Sequence, residues 1–63
     1  MKVLFRKFED KKWSTRYNEC DANGNDISTD IRNTQIGAIY IKKDSEIGKL
    51  SPEIIEVEIR KIK

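Results

Sequence analysis

Between Ile54 and Ile62 the chain alternates: Ile55, Val57 and Ile59 share one parity, while Glu56, Glu58 and Arg60 share the other. A helix would spread those side chains around its circumference. Successive side chains of a strand point to opposite faces, so the segment is expected to be a strand with one apolar and one charged face. Such a strand must find partners that bury its apolar side.

Three other segments fit that requirement. Lys2 to Phe8 mixes β-branched, aromatic and long cationic residues and ends in Glu9-Asp10-Lys11, a polar stretch suited to a reversal. Lys12 to Glu19 places Trp13, Thr15 and Tyr17 opposite Ser14, Arg16 and Asn18. Ile36 to Lys43 places Ile39 and Ile41 opposite Ala38, Tyr40 and Lys42. Between the second and third segments, Asp21 to Asp26 contains Asn23-Gly24, a common signal for a type I′ turn. Ile27 to Gln35 has no clear period and reads as an irregular loop, although Ser28 or Thr29 could cap one helical turn. Asp44 to Glu53 holds Gly48 and Pro52 and is expected to be a connection, with one helical turn around Ser45-Glu46-Ile47.

These elements predict a single mainly β domain over residues 1–63: a small four-stranded antiparallel sheet or partly open barrel with one long loop. Core candidates are Phe5, Trp13, Tyr17, Ile39, Ile41, Ile55, Val57 and Ile59. Lys2 to Phe8 alternates imperfectly, so either Leu4 and Phe8 or Val3 and Phe5 must face away from that core. At 63 residues burial only just outweighs conformational entropy, and unpaired edges make a homodimer a reasonable expectation.

Several chemistries lose their usual residues. The chain has no histidine, and with it go the common general base and the Ser-His and Cys-His nucleophile pairs. Its one cysteine, Cys20, lies between Glu19 and Asp21, which disfavour a thiolate, so a structural thiol is expected. The three glycines, at 24, 37 and 48, match neither a P-loop nor a dinucleotide fingerprint. Asp21-x-Asn23-x-Asn25 begins like a calcium loop, but its glycine stands at the fourth place instead of the sixth and no glutamate stands at the twelfth. The expectation is a binding protein, not an enzyme, with no cofactor and no metal. The lone thiol and the charged N-terminal stretch suggest a cytoplasmic protein, and no apolar run approaches the roughly 20 residues of a membrane span.

Net charge is +2, unevenly distributed. Residues 1–16 carry six cations against two acids, whereas residues 17–35 carry four acids against Arg32. In the basic first hairpin, cations and rings interleave: Phe5-Arg6-Lys7-Phe8, Lys11-Lys12-Trp13, Arg16-Tyr17. On a sheet surface such a mixture can stack bases while Lys and Arg meet phosphates, which nominates Arg6, Lys7, Lys11, Lys12, Trp13 and Arg16 as binding residues. The plainer alternative keeps Phe5, Trp13 and Tyr17 in the core and leaves the cations to keep the solvent face soluble. The acidic stretch Glu19 to Asp30 could instead imitate the phosphates of DNA or dock on a basic groove.

Gly37-Ala38-Ile39-Tyr40-Ile41-Lys42-Lys43, then Leu50, Pro52 and Ile55-Glu56-Val57-Glu58-Ile59, resembles a pattern in small uncharacterised β-rich proteins of phages and mobile elements, over about the C-terminal half of the chain. The same half resembles the swapped-hairpin part of AbrB-type DNA-binding proteins, but has Lys42 where they typically have proline and lacks the glycine turn before the last strand. The phage resemblance implies a compact binder that inhibits or redirects a host protein. With net charge low and polarised, a protein partner is favoured over nucleic acid, which remains the alternative through the basic hairpin.

Overall fold

A computed structural model describes all residues 1–63. Four strands, β1 (Lys2–Asp10), β2 (Ser14–Cys20), β3 (Ala38–Lys42) and β4 (Ile54–Glu58), form one antiparallel sheet in the order β3-β2-β1-β4. The sheet curls into a half-barrel, and the one helix, α1 (Glu46–Leu50), lies in the connection from β3 to β4. No helix is long and apolar enough to cross a membrane.

Register decides which side chains point inward. Phe5 pairs with Glu19 and Ile55, Val3 with Val57, Tyr17 with Ile39, and Thr15 with Ile41. Val3, Phe5 and Tyr17 are buried, with Ile39, Ile41, Ile55 and Val57 packed around them. Full burial of Phe5 contributes about 1.5–3 kcal/mol, so this small cluster holds much of the fold. The ambiguity in β1 resolves toward Val3 and Phe5 inside. Leu4 takes the other face, and Phe8 is exposed.

Two core expectations are overturned. Trp13 is 76% exposed because β2 begins at Ser14, not Lys12, which puts the indole in the hairpin turn. Ile59 is also exposed, because β4 ends at Glu58 instead of Ile62. Met1 and Ile59 exchange the last backbone hydrogen bonds of the β1–β4 pair. β1 in turn runs to Asp10, past the expected reversal, because a register shift between Lys7 and Glu9 absorbs one residue. β3 is shorter than its apolar pattern by two residues at its start and one at its end.

The connections cover the two faces unequally. From β3 at one edge to β4 at the other, residues 43–53 cross the inward side, where the Tyr17 hydroxyl donates to Pro52 O at 2.7 Å. The expected helical turn is present. Ser45 caps it, accepting from Gly48 N, and Ser51 ends it in the left-handed region at φ 46°. A Cβ on Gly48 would lie 1.9 Å from Lys42 O, so the close seat of α1 on β3 requires glycine there. Residues 21–37 form the expected long loop. Gly24 takes a positive φ but Asn23 does not, so the reversal is not type I′. Instead, Gly24 N bonds Asp21 O and Asp21 N bonds Asn25 O, while the Asp21 carboxylate accepts from Asn23 N and Asn25 N.

Candidate functional site

The outward face of the sheet collects residues that sequence parity had left scattered. Arg16 pairs with Tyr40 across β2 and β3, and Ser14 with Lys42. On the other side, the register shift in β1 brings Phe8 beside Arg16, whose guanidinium lies 5.4 Å from the Phe8 ring centroid. Phe8, Arg16 and Tyr40 thus form a row across three strands, with both rings more than half exposed.

Arg16 is oriented by more than the ring beneath it. Its Nε donates to Asn18 Oδ1 at 3.0 Å, Asn18 Nδ2 donates to Asp26 Oδ2 at 2.9 Å, and Ser28 N donates to Asp26 Oδ1 at 2.8 Å. Hydrogen bonds from Ser28 and Asn18 hold the Asp26 carboxyl below its ordinary range, so the relay carries a fixed negative end. This network ties the long loop to the sheet and leaves the free edge of the guanidinium available.

Beyond Ser14, the tip of the β1–β2 hairpin meets the end of β3. Lys43 N donates to Trp13 O at 2.9 Å, joining the two. Lys12 Nζ stands 5.2 Å from the Trp13 ring centroid. Lys12, Trp13, Lys42, Lys43 and Asp44 line an open groove of about 550 Å³, within the roughly 300–1,000 Å³ range of small-ligand sites.

Of the six residues nominated from sequence, Lys12, Trp13 and Arg16 stand in these two clusters. Arg6 shares the outward face, but its Nη1 donates to Gly24 O at 3.1 Å and its Nε lies 3.6 Å from Glu53, so it also fastens the loop. Lys11 is tied to Glu9 at 2.7 Å. Lys7 turns inward beside Tyr17 and donates to Ser51 O at 3.1 Å. Sequence reasoning left Phe8, Tyr40, Lys42 and Lys43 out of the site. The exposure of Tyr40 and Lys42 was legible in their alternation with Ile39 and Ile41, but the adjacency of β3 to β2 was not.

The acidic stretch has a different occupation. Glu19 is buried, and its carboxylate accepts from Gln35 N, Ile36 N and Gly37 N at 2.8–3.0 Å. Burial pushes this carboxyl up, but the backbone hydrogen bonds from Gly37, Ile36 and Gln35 outweigh it and hold the group below its usual range. Asp21, Asp26 and Asp30 each accept from N–H groups of their own loop. With the carboxylates turned to internal donors, this loop is a poor imitation of a phosphate row. Cys20 is buried, and burial followed by the Asp21 charge pushes its thiol up, away from the reactive thiolate.

Compared with protein-family models, curated proteins and solved structures, the chain matches none.

Proposed function

We propose that this protein is a non-enzymatic binding module for single-stranded nucleic acid, using its outward sheet face and hairpin tip. The observation that carries this reading is the exposure of Phe8, Trp13 and Tyr40, at 59%, 76% and 56%, each beside a cation. Exposed rings on a sheet are stacking platforms, and each stacked base contributes about 1–3 kcal/mol. Arg16, Lys12, Lys42 and Lys43 stand where the backbone of a strand draped over those rings would pass. A duplex hides its base faces, so rings of this kind favour a single strand.

Replacing Lys12 and Arg16 together by Gln tests the reading, with Lys61 and Lys63 replaced by Gln as a control for overall charge. The first variant should lose at least tenfold in affinity for a labelled single-stranded decamer and show a shallower salt dependence, while the control stays close to wild type. Equal losses in both variants would mean that bulk charge, not this surface, drives association.

A protein target, the partner favoured by the low, polarised charge and the phage resemblance, draws on a separate feature. The inward face is only half covered at Ile39, Ile41, Ile55 and Val57, and both edge strands, β3 and β4, are unpaired on their outer sides. An extended segment of a host protein, or a second copy of this chain, could add to either edge. That is the phage-like inhibitor suggested by the resemblance of residues 37–59, acting in the cytoplasm. Failure of every oligonucleotide to bind, with retention of a host protein on the immobilised domain, would favour it.

A further inference from the structure

The groove at the hairpin tip contains a residue that phosphate binding does not explain. Asp44 lines it together with Lys12, Lys42, Lys43 and the exposed Trp13 ring, yet enters no ion pair within the chain. Lys43 turns toward Asp10, 3.9 Å away, instead of its neighbour. Asp44 sits in the turn closed by Ser45 N to Lys42 O, which fixes its backbone beside the groove. A carboxylate repels phosphate, so beside the lysines Asp44 gives the groove an acceptor for a group that donates hydrogen bonds while stacking on the indole.

Among the nucleobases, that description selects one. A carboxylate offers two acceptor oxygens side by side. Guanine alone presents two adjacent donors on its Watson–Crick edge, N1–H and N2–H. Adenine and cytosine place a ring-nitrogen acceptor next to their amino group, and uracil and thymine flank N3–H with two carbonyls, all of which a carboxylate repels. Resting on the single-strand reading above, we propose that the groove is a guanine-selective subsite: the base stacks on Trp13, Asp44 accepts from N1–H and N2–H, and Lys12 and Lys42 meet the flanking phosphates. The other platforms, Phe8 and Tyr40, remain indifferent to base identity, because every base has a face to stack.

The test uses thymidine decamers carrying one central guanine, hypoxanthine, adenine or cytosine, titrated into the full chain and followed by fluorescence anisotropy at low salt. The guanine decamer should bind roughly tenfold tighter than the adenine and cytosine decamers, the discrimination of a good bidentate contact. Hypoxanthine, which lacks the 2-amino group, should lose most of that advantage. In Asp44→Asn, with a thermal melt to confirm that it folds, the guanine-to-adenine ratio should collapse toward one. Equal affinity for all four decamers, or a guanine preference that survives Asp44→Asn, would overturn the subsite and leave single-strand binding intact. No binding of any decamer would overturn both.

Discussion

Trp13 separates the two ways of reading the basic hairpin, because a core tryptophan and a stacking tryptophan respond differently to removal. With the residue 76% exposed, Trp13→Ala should shift stability by no more than about 0.5 kcal/mol. The same change should weaken single-strand binding by about 1–3 kcal/mol, the worth of one stacked base. A thermal melt and an anisotropy titration on one preparation measure both, and a large loss of stability would return Trp13 to the core. Glu19 is the opposite case, a charged residue with a structural task. Glu19→Gln should cost about 1–3 kcal/mol, because a buried charge-assisted acceptor for the 35–37 backbone is lost. Its folded pKa is depressed, so its contribution is present above the unfolded value of about 4.3 and is lost as pH falls through the folded value. Denaturant titrations from neutral pH to below about 4 should show the wild type losing more stability than Glu19→Gln. At this scale, parity revealed Tyr17, Ile39 and Ile41 as inward. Glu19 shares the parity of Tyr17, but its charge argued against burial, and the backbone donors that make burial tolerable lie sixteen to eighteen residues away, with no local signal.

Strands were more legible than their ends. The alternation around Val57 placed β4 correctly through Glu58, but Ile59 keeps the apolar rhythm one residue past the end of the strand, and pattern alone carries no information about the length of a neighbour. The turn at Glu9 failed for a related reason: the shift between Lys7 and Glu9 lets β1 continue, and a bulge leaves little trace in composition. The central strands should carry the stability. Phe5→Ala removes the fully buried ring and should cost about 3–5 kcal/mol, enough to unfold much of a domain this small. Val57→Asp, on the half-covered edge strand but packed on the same cluster, should also destabilise strongly because it sets an unpaired charge beside Val3. Circular dichroism in denaturant measures both. Gly48→Ala tests the seat of α1. Alanine gains about 1 kcal/mol in helix propensity, but its Cβ meets Lys42 O, and the melting temperature should fall instead of rise.

Seen whole, the domain is a half-barrel with a thin apolar inside and a cation-and-ring outside. Its polarised charge sorts by role: the acids of residues 17–35 are largely engaged inside the long loop, and of the hairpin cations Arg6, Lys7 and Lys11 also hold the fold together, which leaves Lys12 and the outer edge of Arg16 for a partner. Overall charge, at +2, conceals this local sorting of acids and cations. The candidate site was legible in part: Lys12, Trp13 and Arg16 could be named from local interleaving, whereas Phe8, Tyr40 and Lys42 join them only through the order β3-β2-β1. The exposed Trp13 also makes the central claim directly measurable. Its fluorescence, followed while single-stranded DNA or RNA is added at about 50 mM and then about 200 mM salt, should change saturably at the lower concentration and require much more ligand at the higher. An unchanged signal at both, with anisotropy of a labelled strand equally flat, would contradict the account.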